Sequence, residues 1–130
     1  RQAKAYLFLD CLEKEVYMLD LSQLPVVIID EVEGYKFIVA IVSMGEISKM
    51  VIRANQHCEF HRDILKNLGF KIPGLIARCI GGGRINVDPV NKIIKIWGSS
   101  GDFGVEPNRA ETARLLQEAF SDFNISSENS

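Results

Sequence analysis

The sequence predicts a single α+β domain, of the mixed-sheet α/β kind, in which about six strands form one sheet flanked by two helices. The chain has 130 residues, a length typical of one domain. Its hydrophobic fraction of 47% and charged fraction of 25% are typical of a packed soluble protein. Short runs of β-branched and aromatic residues alternate with two segments of helical spacing. The resulting order, βββ-α-βββ-α-β, favours helices that cover a sheet.

The first part of the chain, residues 1–23, has no clean periodicity, and we expect an N-terminal arm or a short helix there. The domain is expected to span residues 24–125, and the polar residues 126–130 are expected to form a fraying tail.

Three strands are expected at the start of the domain. Residues 26–29 are β-branched, and residues 35–42 are rich in Phe, Ile and Val. Residues 44–46 predict a turn and residues 47–53 another strand, so this region is expected to form a hairpin. Four further strands are predicted at residues 75–80, 85–87, 92–97 and 122–125. Residues 92–97 alternate basic and apolar side chains, as an edge or half-buried strand does.

Both predicted helices carry signals at their ends. Asn55 is a suitable N-cap for the first helix, and Gly69 ends its apolar stripe. The second helix is expected over residues 108–120, where Asn108 and Glu111 form a capping-box-like pair.

Three consecutive glycines, residues 81–83, lie between two strand-like runs and are followed by Arg84. Glycine is unfavourable inside a strand, because it packs nothing and orders a flexible backbone. The run indicates a close approach to the backbone, a sharp bend or a tight turn, and the motif alone favours the turn. Arg84 carries a planar donor fork suited to phosphate or carboxylate.

Two histidines, His57 and His61, share one face of the first predicted helix. They could bind zinc, lie at the surface as ordinary polar residues, or place His61 in a pocket as a general base or nucleophile. No third ligand and no HExxH pattern accompany them, so we expect no metal site.

The segment of residues 98–104 is rich in glycine and serine. Its backbone N–H groups could form an anion-binding nest, with Ser99 and Ser100 as further donors, or it could be an ordinary loop. Lys36 and Arg53 each lie in or at the end of an apolar strand. Each could face solvent or a ligand, and alternation alone favours solvent for Lys36.

Taken in chain order, these sequence segments resemble the janus/ocnus family, which includes the small protein histidine phosphatases. The matching runs are residues 35–37, 52–53, 59–64, 79–85 and 92–100. The likeness covers about residues 24–125 and implies the phosphohistidine phosphatase-like fold.

The resemblance also implies residue roles. His61 matches the catalytic histidine, and Lys36 matches the strand lysine that contacts the phosphoryl group. Ser100 matches the serine of the phosphate loop, whose backbone donors would include Ser99 and Gly101.

Three more positions follow from the resemblance. Arg53 and Arg84 match recurring family arginines, and Arg84 is expected to have a supporting or structural role. Asp102 stands where the family's phosphatases have a small residue whose main chain helps to hold the anion. An outward carboxylate would preserve that donor, whereas an inward one would repel a phosphoryl dianion or select another ligand.

The implied function is metal-independent hydrolysis of the P–N bond of phosphohistidine in proteins, without a cofactor. The alternative is a weakly active or inactive regulatory protein that binds an anionic or phosphorylated partner. The family also includes proteins associated with insect sex differentiation and male-germline expression.

Other functional classes are disfavoured by composition. A net charge of −2 with scattered basic residues argues against a nucleic-acid partner, and no apolar run reaches the roughly 18 residues of a membrane span. The three widely spaced cysteines, Cys11, Cys58 and Cys79, suit a reducing compartment. We therefore expect a cytoplasmic protein, and we expect it to be a monomer. The resemblance implies that its partner is a phosphohistidine-containing protein or another phosphorylated ligand.

Overall fold

A computed structural model describes residues 21, 24–29, 35–54 and 74–128. Within these ranges the chain forms six strands and one α-helix. The elements are β1 (Val27–Ile29), β2 (Tyr35–Met44), β3 (Ile47–Ala54), β4 (Ile76–Asp88), β5 (Ile93–Trp97), α1 (Arg109–Ala119) and β6 (Asn124–Ser127). All the strands join one sheet in the order β1-β3-β2-β4-β5-β6. The predicted α+β class and mixed six-stranded sheet are confirmed.

The sheet is mixed because its outermost pairs, β1 with β3 and β5 with β6, are parallel, whereas the inner pairs are antiparallel. The predicted hairpin is confirmed: β2 and β3 pair from Phe37 opposite Ala54 to Met44 opposite Ile47. Gly45 closes the turn with φ +63°, a conformation that glycine adopts without steric cost.

The second predicted helix is confirmed as α1. The Asn108 side chain accepts a hydrogen bond from the Glu111 backbone nitrogen at 3.1 Å, as an N-cap does. The Glu111 carboxylate pairs with Arg114 at 2.7 Å. The first predicted helix, residues 55–69, lies outside the described residues, as do residues 1–20 of the predicted arm.

The prediction of two strands separated by a glycine turn is wrong. β4 runs unbroken for 13 residues, and its glycines pair with residues 37–39 of β2. A bulge between the pairs Val39–Gly81 and Ala40–Cys79 is the only irregularity in that pairing. Residues 92–97 were predicted to form an edge strand or a half-buried strand. β5 lies between β4 and β6, so it is a half-buried strand and not an edge strand.

Both faces of the central strands are covered, which is why residues 37–40 of β2 are all buried. α1 packs through Leu116 on one face, which we call the helix face. Its buried side chains are Phe37, Val39, Ile52, Ala54, Ile85, Ile94 and Ile96. On the opposite face Leu21 and Leu24 pack against a second cluster. That cluster contains Ile38, Ala40, Val42 and Val51.

Candidate functional site

Two cations face each other across neighbouring strands. Lys36 on β2 pairs directly with Arg84 on β4, so both side chains lie on the face opposite α1. Directly paired residues have Cβ atoms about 4.5–5.5 Å apart, and like charges in such a pair destabilise a sheet. Neither side chain makes an ion pair or a hydrogen bond within the described ranges, and Lys36 is half-buried. An anion bound by both side chains would relieve the repulsion between them.

The glycine run lets the loop of residues 98–104 approach β4. A Cβ atom on Gly81 would overlap the main-chain nitrogen of Glu106, and one on Gly83 would overlap the carbonyl oxygen of Trp97. The Gly82 backbone nitrogen donates to the Gly104 carbonyl at 3.0 Å. The close-approach interpretation of the three glycines is therefore confirmed, and the loop lies along the edge of β4.

The loop also begins beside the cation pair. A Cβ atom on Gly98 would lie 3.8 Å from Cγ of Arg84, so the arginine stem extends past the start of the loop. Arg84 is thus next to Lys36 on one side and next to the loop on the other.

Ser100 organises the loop from within. It is buried, and its Oγ accepts hydrogen bonds from the backbone nitrogens of Asp102 at 3.1 Å and Phe103 at 3.0 Å. A serine hydroxyl accepts two hydrogen bonds and donates one, and within the described ranges its proton has no acceptor. The Ser100 and Gly104 backbones bond each other at 2.8 and 3.2 Å, which closes the loop.

Ser99 and Gly101 supply two further backbone nitrogens in this loop. Both residues are exposed, and neither nitrogen donates a hydrogen bond to any part of the chain that the structure describes. The amide of Asp102, by contrast, is already taken by Ser100. The predicted loop donors therefore include some that shape the loop and others, on exposed residues, that have no acceptor within the described ranges.

Asp102 is exposed, and its charge affects the neighbouring thiol of Cys79. Burial raises the pKa of Cys79 to about 11, and the charges of Glu106 and Asp102 act in the same direction. The thiol donates to the Gly81 carbonyl at 3.3 Å. Since it stays protonated at neutral pH, Cys79 is not suited to act as a nucleophile.

Arg53 shares the face of Lys36, because its partner Ile38 is two residues along β2. Its guanidinium donates to the carbonyls of Val26 at 3.1 Å, Ile52 at 3.0 Å and Pro25 at 2.9 Å. Burial lowers its pKa to about 10, so it remains charged at neutral pH. These contacts attach the segment before β1 to β3, while a contact between Arg53 and a ligand stays a prediction.

Sequence reasoning missed a buried ion pair beside the loop. Arg109, the first residue of α1, donates from Nε and Nη2 to the two carboxylate oxygens of Glu106 at 2.9 and 2.8 Å. Thr112 donates to the same carboxylate at 2.7 Å. Burial raises the pKa of Glu106, but the hydrogen bonds from Arg109 and Thr112 outweigh burial and hold it below its ordinary value. The acid–base spacing of three residues at a helix start was the available signal.

The same arginine attaches the loop to the sheet. Nη1 of Arg109 donates to the carbonyls of Gly98 at 2.9 Å and Glu128 at 3.0 Å, and Nη2 donates to Gly82 at 3.0 Å. All five guanidinium N–H donors are therefore used. Gly98 opens the loop and Gly82 is the middle glycine of β4, so this one side chain fixes both.

His61 lies outside the described residues, and so does His57. β3, the last described strand before His61 in the sequence, ends at Ala54, which pairs with Phe37. In the described ranges no group of three His, Cys, Asp or Glu residues could hold a metal ion. No helix in those ranges is long and apolar enough to cross a membrane.

Comparisons with known proteins assign this chain to a family. Residues 21–124 match the model of the Janus/Ocnus family. Sex-regulated protein janus-A of Drosophila pseudoobscura pseudoobscura is 35% identical over 114 residues, which cover 82% of this chain and 76% of that protein. Janus-A of Drosophila melanogaster is 36% identical over 108 residues, covering 81% and 79%. The 14 kDa phosphohistidine phosphatase of Sus scrofa is 29% identical over 106 residues, covering 74% and 83%. The chain belongs to the Janus/Ocnus family.

Proposed function

We propose that this protein hydrolyses the P–N bond of phosphohistidine in proteins, with His61 as the catalytic residue and no metal ion. The observation that carries the proposal is the Lys36–Arg84 pair, which has no anionic partner in the described ranges and lies beside a loop whose residues Ser99 and Gly101 are exposed. The likeness to the pig phosphohistidine phosphatase supports the choice of substrate.

A phosphoryl group suits this arrangement. Its oxygens would replace the repulsion between Lys36 and Arg84 by two charge-assisted contacts. The hydroxyl proton of Ser100 and the amides of Ser99 and Gly101 would bind the same oxygens, as the family resemblance implies. Phosphoryl transfer through a loose transition state depends on such positioning and charge stabilisation more than on covalent chemistry.

His61 would supply the proton chemistry. As a general base it would take a proton from water while the water oxygen bonds to phosphorus. The P–N bond would break with its electron pair on the imidazole nitrogen of the substrate, and His61 would return the proton to that nitrogen. As a nucleophile it would accept the phosphoryl group and then pass it to water. General-base catalysis contributes on the order of 10²–10⁴ in rate.

The first prediction tests this function with two histidines of the same chain. We expect His61→Ala to reduce kcat/KM for a phosphohistidine peptide by about 10²–10⁴. His57→Ala, which removes the neighbouring imidazole, should stay within about twofold of the wild type, because His57 matches no catalytic position. Phosphate release measured for the three proteins gives the result, and equal turnover by the wild type and His61→Ala would reject the proposal.

A second candidate function is anion binding without efficient catalysis, by a regulatory protein. It is favoured by the Asp102 carboxylate in the candidate loop, whose charge reaches Cys79, and by the name of the janus-A relatives. Here the same pocket would recognise a phosphorylated partner and release it unchanged.

The second prediction separates these two functions at Asp102. An exposed carboxylate repels a dianion by less than about 1 kcal/mol, so Asp102→Ala in an active enzyme should raise kcat/KM by at most about fivefold. Asp102→Asn, which keeps the shape and removes the charge, should match it. A rise of about 100-fold or more from a nearly inactive wild type would instead support the regulatory function.

A further inference from the structure

The face that carries the cation pair is covered over only part of its area. Around Ile38, Ala40 and Val42 it is buried beneath Leu21 and Leu24. On residues 84–88 of β4 and on β5 the same face is open. There it presents Arg84, Asn86 and Lys95, all exposed, with the half-buried Trp97 directly opposite Arg84 and the partly exposed Ile93 at its end.

This open area is a true sheet surface rather than a frayed edge. Ile85, Ile94 and Ile96 alternate with its residues along β4 and β5, and they are fully buried on the helix face. The opposite side of both strands is therefore packed and fixed. β6 flanks β5 through the pair Lys95–Ser126, so the surface extends over three strands.

The charge of this surface is mainly positive. Lys36, Arg84 and Lys95 lie on it, and Lys95 makes no ion pair in the part of the chain that the structure describes. Of the acids, Asp88 accepts hydrogen bonds from the turn that follows it, at 2.9–3.2 Å, and Glu128 comes after the end of β6 at the margin.

We propose that the open surface formed by Arg84, Lys95 and Trp97 docks an extended acidic segment of the phosphorylated protein. This proposal rests on the proposed function, because it makes the cation pair the place of the phosphoryl group. Lys95 is one strand across and two residues along from Arg84. At about 4.8 Å between strands and about 3.3 Å per residue, that separation is roughly 8 Å. An extended peptide covers it in two or three residues, so the acidic side chain recognised by Lys95 is two or three positions from the phosphohistidine.

Trp97 makes the docking directly observable, because it is the only tryptophan of the chain. Two short peptides serve as probes, each with one phosphohistidine. One has Glu at the second and third positions on both sides of it, and the other has Lys there. Trp97 fluorescence reports binding, and phosphate release reports kcat/KM. We expect the wild type to bind the Glu peptide more tightly and to hydrolyse it with the higher kcat/KM.

Charge reversal at Lys95 tests the proposal. We expect Lys95→Glu to shift the ratio of Glu-peptide to Lys-peptide binding by about tenfold towards the Lys peptide, because an exposed attraction becomes a repulsion. Lys92→Glu is the matched control, since Lys92 is also exposed but pairs with Asp122 at 2.9 Å. It should leave the ratio nearly unchanged.

The possible outcomes separate the two proposals. If neither peptide is hydrolysed but the fluorescence ratio still shifts in Lys95→Glu, the proposed function fails and the docking surface stands. If both peptides are hydrolysed and Lys95→Glu keeps the wild-type ratio, the docking surface is rejected and the function stands. An equal shift in Lys92→Glu would also reject it, because the effect would then come from net charge.

Discussion

Replacing Arg109 by methionine is expected to lower the free energy of unfolding by about 3–5 kcal/mol, the usual cost of removing one partner of a buried ion pair. Arg109 is 4% exposed and Glu106 is 3% exposed, so water cannot replace the lost contacts. The variant leaves a buried carboxylate with only Thr112 as a side-chain donor. It also releases the Gly98 and Gly82 carbonyls, so the candidate loop is expected to lose its attachment to β4.

Urea unfolding measures this loss, and Arg114→Met is its matched control. Arg114 lies on the same helix and pairs with Glu111 and Glu118, but its side chain is 55% exposed. It should therefore change the unfolding free energy far less than Arg109→Met. Similar losses in the two variants would show that the Glu106–Arg109 pair has no special importance for the fold.

The pH dependence gives a second measure of the same pair. In the wild type the pKa of Glu106 is below its ordinary value. The ionised carboxylate therefore stabilises the fold at neutral pH, and this contribution is lost as the pH falls through the lowered pKa. In Arg109→Met the unpaired, buried carboxyl should have a raised pKa, and stability should then fall as pH rises. We therefore expect the stability gap between the two proteins to narrow between pH 7 and about pH 4.

The Glu106–Arg109 pair shows which kind of contact local sequence patterns do not reveal. The cap at Asn108 and the hairpin at Gly45 depend on residues close in sequence, and local patterns predicted both. Arg109 instead contacts carbonyls that are 11, 19 and 27 residues away along the chain. No periodicity reports such contacts, because they exist only once the sheet has formed.

The glycine run shows a different limit. Its composition correctly indicated a close approach, yet the motif alone favoured a turn, because glycine is rare inside strands. The strand continues because β2 pairs with it on one side, while on the other side β5 pairs with residues 84–88 and the Gly82 nitrogen donates to Gly104 in the loop. The family resemblance placed Lys36 and Arg84 in the site, and the register then made them direct neighbours, which a residue-by-residue reading could not foresee.

The second large effect is expected from Gly81→Ala. Gly81 has φ +155°, a value that residues with a Cβ atom rarely adopt, and a Cβ there would overlap main-chain atoms of Val105 and Glu106. Backbone strain costs about 1–3 kcal/mol and overpacking about 1–3 kcal/mol. A loss of roughly 2–6 kcal/mol is expected, measured by urea unfolding. Because the overlap is with backbone, the segment that leads to α1 would have to move, and Glu106 would move with it.

Gly101→Ala is the comparison that isolates this cause. Gly101 is exposed in the same region, and no atom lies within 4 Å of the position of an added Cβ. Its substitution adds the same methyl group without a steric conflict, so the unfolding free energy should change by less than about 0.5 kcal/mol. If Gly81→Ala were as stable as Gly101→Ala, the backbone of β4 could not be in close contact with residues 105–106. The close approach that aligns the candidate loop with Lys36 and Arg84 would then be wrong, and the basis for a phosphoryl site at this edge would be lost with it.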